Sequence, residues 1–184
     1  MRAFVAIEVP SRDVIDRIVT FQKEIIREDA SLKLVARENM HFTVKFLGDI
    51  TDSQAAEASR RIAGLKLQRM DVTVAGVGAF PSASRPSVIW VGTHPADEPE
   101  LGGLARSVIG ALDGIGETDE RPFKAHVTIA RARNSSSGGK LASLLRDRAS
   151  FEFGKVSLDS VKLKQSVLTP AGPVYSDLEV FPLA

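Results

Sequence analysis

One pattern constrains the fold more than any other, and it occurs twice. HFTVKFLG, starting at His41, and HVTIAR, starting at His126, both open on His-x-Thr and then alternate with apolar residues. Alternation marks a half-buried strand, in which residues two apart project from one face. His41, Thr43 and Lys45 then share one face of the first strand, and Phe42, Val44 and Phe46 the other. In the second strand Lys124, His126 and Thr128 lie together, opposite Val127 and Ile129. The chain must therefore build sheet that buries both apolar faces and displays two His-Thr pairs. A lone histidine on a strand is ordinarily a packed or surface residue. Here only three histidines exist, and two of them head the same pattern.

The surrounding chain is long enough to supply that sheet with a core. Its 184 residues, 43% of them hydrophobic, suit a single domain over residues 1–184 made of two small lobes. RAFVAIEV reads as a strand, and Ser11 as the N-cap of a helix carrying Val14, Ile15, Ile18, Val19, Ile25 and Ile26 on one face. A second helix is expected from Thr51 or Asp52 to Gly64, and a third from Asp97, which with Glu100 resembles a capping box, to about Gly114. Strands are expected over LKLVA, Leu67–Phe80 and SVIWVG. A short helix is expected over KLASLLRDRA, and two closing strands over FEFGKVSLDSVKLKQSVL and PVYSDLEVFPL. NSSSGG, residues 134–139, reads as a loop. This order predicts an α+β fold with helices covering antiparallel sheet. Because each half carries a long helix and a histidine strand, a two-lobed, pseudo-twofold arrangement is expected.

Paired imidazoles suit acid-base chemistry near neutral pH, one taking a proton while the other gives one. Thr43 and Thr128 add hydroxyl donors fit for phosphate oxygens. Lys45 and Lys124 share the histidine faces by parity and raise the potential there for an anion. Arg131 has the opposite parity to His126, so it reaches the same face only if the strand ends or bulges. Arg85, Arg121 and Arg133 read as solvated surface, and His94, with no matching threonine, as a loop residue. Cysteine is absent, which excludes a thiolate nucleophile and a Cys-based zinc site. Neither motif carries the carboxylate that two histidines would need to hold a metal, so no metal or other cofactor is expected. With 24 Lys plus Arg against 23 Asp plus Glu, whole-surface attraction to nucleic acid or membrane is excluded, but a local basic groove is not. No signal peptide or membrane-span pattern is present, so a cytoplasmic protein is the expectation, and a monomer the default.

These residues resemble the two-histidine phosphoesterase superfamily, and within it the RNA 2′,3′-cyclic phosphodiesterases, long called 2′,5′ RNA ligases. MRAFVAIEVP, HFTVKFLG, AFPSASRPSVIWVG, RPFKAHVTIAR and SVLTPAGPVYSDLEVFPL carry the likeness along nearly the whole chain. Ala125 departs from it, standing where many relatives have proline. The resemblance implies two antiparallel sheets lining a central groove, with helices outside. It also implies metal-independent opening of a 2′,3′-cyclic phosphate end of RNA to a 2′-phosphate. It assigns His41 and His126 as catalytic, and Thr43, Thr128 and Arg131 as phosphate contacts; Lys45, by its parity with His41, is a further candidate. His126 would be the base that activates water, and His41 the acid at the 3′-oxygen. Competing readings are a phosphodiesterase acting on cyclic nucleotides or 2′,5′-oligoadenylate, and a non-catalytic RNA or nucleotide binder on the same scaffold. Aromatics make up 6% of the chain, which points to recognition of the terminal ribose phosphate more than extensive base stacking.

Overall fold

The computed structural model describes residues 1–133 and 138–184, so most of the expected NSSSGG loop lies outside the described residues. In chain order the strands are β1 (Arg2–Glu8), β2 (Lys33–Leu34), β3 (His41–Asp49), β4 (Met70–Pro81), β5 (Pro86–Thr93), β6 (Val127–Arg131), β7 (Glu152–Leu158), β8 (Ser160–Thr169) and β9 (Gly172–Pro182). The helices are α1 (Arg12–Glu28), α2 (Asp52–Ala63), α3 (Glu98–Ala111) and α4 (Gly139–Asp147). Helix starts follow local chemistry. Ser11 accepts a hydrogen bond from the Val14 amide at 3.3 Å, and Thr51 and Gln54 form a reciprocal capping box. The expected cap at Asp97 does not form. Its carboxylate instead accepts from the Thr73 amide at 2.7 Å, tying the start of α3 to β4.

Strand order is β7-β4-β5-β6-β3-β1-β8-β9, with β2 beside β6 and the pairs antiparallel. The fold is α+β, as expected. The two expected sheets are halves of one: β7-β4-β5-β6 and β3-β1-β8-β9 meet at the pair Phe42–Val127. Innermost in one half is β3, which opens on His41, and innermost in the other is β6, which begins one residue after His126. Helices α1 and α4 pack together on the first half, against β7, β6 and β4. Helices α2 and α3 pack together on the second, against β9 and β3, and α3 also reaches β4 of the first half. A core runs between helices and sheet through Ile18, Phe21, Ile25, Phe42, Leu101, Val127 and Phe153. The expected long strand FEFGKVSLDSVKLKQSVL is two strands broken at Asp159: β7 pairs with β4 in one half and β8 with β1 in the other. Among the described residues no helix is long and apolar enough to cross a membrane.

Candidate active site

The joint between the half-sheets places the site. Phe42 and Val127 are fully buried on the helix side, so their chain neighbours project from the opposite face. Counting one residue outward in antiparallel sense sets His41 across from Thr128, and Thr43 across from His126. By this register each threonine shares a face with the other motif's histidine as well as its own. Four expected residues come together on one face in this way.

Just beyond the threonines, both strands carry the same irregularity. Thr43 pairs with Ala6 and Lys45 with Val5, leaving Val44 as the extra residue of a β-bulge. Thr128 pairs with Trp90 and Ala130 with Ile89, which leaves Ile129 extra in the same place. Each bulge flips the alternation that follows. In β3 it puts Lys45 opposite the core residue Val5 and swings Phe46 to the face of Phe4 and His41. Parity alone assigns these two residues the other way round. Lys45 is thus not brought to the histidines, and its charge acts on Asp119 instead. In β6 the bulge gives Arg131 the face of Thr128 and Trp90, which meets the condition set for it in the sequence. The Ile129 carbonyl left over by the bulge accepts from the Val35 amide at 2.9 Å and from the buried Gln22 side chain on α1 at 2.8 Å. Phe46, 54% exposed, and Gln22 were missed in the sequence. The available signal was the adjacent apolar pairs Phe46-Leu47 and Ile129-Ala130, which interrupt the alternation.

Each imidazole is held by backbone two residues upstream. His126 Nδ1 donates to the Lys124 carbonyl at 2.7 Å, and the Asn39 backbone hydrogen-bonds the His41 ring. Nε2 of His41 lies 3.1 Å from the Thr43 hydroxyl, which donates to it when the ring is neutral. Aromatic rings fix both rings from the side. His41 packs on Phe4 and Tyr175 with centroids 5.1 and 5.6 Å away. His126 meets Phe80 edge-on at 5.2 Å and Trp90 at 6.2 Å. The Trp90 indole fits because Gly78 beneath it has no side chain: a Cβ there would fall 2.2 Å from the ring. Lys124 keeps the expected face, with its ammonium 4.8 Å from the Trp90 centroid.

Burial pushes the His41 pKa down to about 4, helped by Lys164 and Arg131 and opposed by the Asn39 hydrogen bond and Glu8. His126 is also lowered, first by burial and then by Lys124 and Arg131, against the Lys124 backbone bond. Arg131 therefore acts on both rings. Of the other basic residues, Arg121 is engaged with Asp119 at 2.8 Å, and Arg85 and Arg133 are exposed. His94 caps its own turn, accepting from the Ala96 amide at 3.2 Å, as a loop residue would. Two neutral imidazoles, two hydroxyls and one guanidinium on a common face can bind an anion and move protons around it.

The model of the LigT-like phosphoesterase family matches residues 8–90 and 95–175, which takes in both His-Thr pairs. The chain belongs to that family. Within it, the chain is 37% identical to an RNA 2′,3′-cyclic phosphodiesterase of Archaeoglobus fulgidus, covering 98% of this chain and 99% of the relative. It is 34% identical to the protein of that name from Aeropyrum pernix, over 90% of this chain and 94% of the other. A crystal structure from Thermus thermophilus superposes with a TM-score of 0.76 at 27% identity, covering 100% of this chain and 98% of that one. Escherichia coli LigT complexed with 3′-AMP shares the fold at a TM-score of 0.79 and 21% identity, over 99% and 97% of the two chains.

Proposed function

We propose that this protein hydrolyses the 2′,3′-cyclic phosphate end of RNA to a 2′-phosphate, without metal, by paired-histidine acid-base catalysis. The observation that carries this reading is the crossed arrangement of His41 with Thr128 and Thr43 with His126 about the Phe42–Val127 joint. The names of its near-full-length relatives support the substrate class. His126 Nε2 takes a proton from water, whose oxygen attacks phosphorus. The P–O3′ bond breaks, and His41 gives its Nε2 proton to the leaving 3′-oxygen. Thr43, Thr128 and Arg131 hold the non-bridging oxygens as charge builds on them. Glu8 is the carboxylate that favours the cationic form of His41, against the larger effect of burial, so the acid role needs the bound phosphate anion to raise the proton affinity of that ring. Glu8 is itself held by Lys162 and Lys164, so it is not free to complete a metal site with His41. The exposed Phe46 ring, 6.2 Å from Phe4, offers the terminal nucleoside an apolar surface. Run in reverse, the same step joins a cyclic phosphate end to a 5′-hydroxyl through a 2′,5′ bond, and abundant water keeps that a minor reaction.

The deciding experiment incubates the protein with a short RNA ending in a 2′,3′-cyclic phosphate, with a chelator and without nucleoside triphosphate. A 2′-phosphate product is expected. Turnover only on cyclic mononucleotides or 2′,5′-linked oligoadenylate would replace the substrate assignment.

The pH dependence has a predicted sign. The profile of kcat/KM reports the acid and base of the free protein. Both imidazoles are lowered from 6.5, His41 to about 4, so both limbs should lie below pH 6.5 with the optimum between them. The bound phosphate anion favours imidazolium, so the kcat profile should lie at higher pH. A kcat/KM optimum at or above neutrality would contradict this account of the free site.

A further inference from the structure

Four charged side chains close a ring on the wall beside His41. Lys162 Nζ donates to Glu8 Oε2 at 2.7 Å and to Asp177 Oδ2 at 2.9 Å. Lys164 Nζ donates to Glu8 Oε1 at 2.6 Å and to Asp177 Oδ1 at 2.5 Å. The ring draws on three strands, with Glu8 from β1, the lysines from β8 and Asp177 from β9. Lys164 is only 5% exposed. A charge so buried contributes little net stability even when paired, since its desolvation offsets most of the attraction. Its location suggests another use. Glu8 is the cross-strand partner of His41, and Lys164 is the cross-strand partner of Phe4, whose ring packs on His41.

We propose that Glu8 and Lys164 are positioning residues for His41: the carboxylate favours its cationic form, the ammonium its neutral form, and their balance adjusts, around the effect of burial, where it takes up its proton. The ring as a whole is neutral, yet it is not neutral towards His41, because the two signs stand at different strands. The other charged or titratable groups facing His41 are Lys162 and Asp177 of the ring, Tyr175 on β9, and Arg131 and His126 from the β6 side. Of these, Arg131 acts on the ring in the same sense as Lys164. Glu8 can hold this station because hydrogen bonds from both lysines outweigh its own burial and keep its carboxyl below the usual range. The proposal rests on reading His41 as a proton carrier, but it is testable in the free protein.

With three histidines in the chain, the imidazole Cε1–H signals can be assigned by His94→Gln and His126→Gln and titrated by NMR. Lys164→Met keeps the bulk of the stem and removes the charge. It should raise the His41 midpoint by about one pH unit, the scale of one nearby charge. Glu8→Gln should lower it, and His94 should not move. Asp177→Asn, which frees Lys164 of one counter-charge without touching Glu8, should also lower it and serves if either other variant fails to fold. Shifts of His41 in the same direction for Lys164→Met and Glu8→Gln, or unmoved midpoints in folded variants, would overturn the proposal. Unmoved midpoints in a protein that still hydrolyses the RNA end would leave the proposed function intact. Opposite shifts in a protein that ignores that RNA would sink the substrate reading and uphold this one.

Discussion

Replacing His126 with alanine should cut turnover of a 2′,3′-cyclic phosphate end by roughly 10²- to 10⁴-fold, the usual yield of one positioned acid or base. His41→Ala should cost about as much, and the double variant little more, because the two groups act in one step. Loss in both does not say which histidine plays which part. A diester with a nitrophenolate leaving group does, since that anion departs without a proton. On it His41→Ala should recover most of its deficit and His126→Ala should not. Recovery of His126→Ala alone would exchange the roles. Full activity of either folded variant on the RNA end would end the paired-histidine mechanism. Neither substitution removes a core residue: both rings stand on the site face, outside the cluster that holds the helices to the sheet.

The second large effect belongs to Phe42. Its ring is fully buried, and its backbone makes the register pair that joins the half-sheets. Phe42→Ala should destabilise by about 3–5 kcal/mol through lost transfer energy and the cavity left behind. In a chain of this size that corresponds to a fall in Tm on the order of 10 °C. Phe153→Ala is the matched control, since this residue is also fully buried but lies on β7 against Phe21, away from the joint. Both should lose similar stability by thermal melts. Well below either melting point, only Phe42→Ala should also lose kcat, because the register pair that sets one His-Thr pair against the other is made at Phe42. Equal kcat in the two variants would mean that the alignment is carried elsewhere.

The histidine strands were legible because a period of two needs no knowledge of the fold, and the caps at Ser11 and Thr51 because they are local. Arg131, Lys45 and Phe46 were not placed by parity, since one extra residue reverses every side chain after it. A bulge at Val44 or Ile129 leaves only a faint trace in an apolar run. Asp97 shows a different limit. Its spacing to Glu100 satisfied a capping rule, but the Thr73 amide from a distant strand took the carboxylate first. The ring of Glu8, Lys162, Lys164 and Asp177 was beyond reach for a topological reason: alternation says that each faces outward, but not that β1, β8 and β9 are neighbours.

That topology has a consequence for how the protein is made. The break at Asp159 sends the chain from one half-sheet back to the other, so β1, synthesised ahead of both its neighbours, pairs on one side with β3 and on the other with β8. On a ribosome, β1 and β3 must wait with a bare edge until residues 160–182 emerge, and the long loop closure makes the final docking slow. Lys162 and Lys164 arrive on those late strands, and Glu8 has no partner in the ring until they do. The nascent chain therefore carries His41 well before Tyr175 and the ring exist beside it, and His41 acquires its tuned proton affinity only once β8 and β9 have docked.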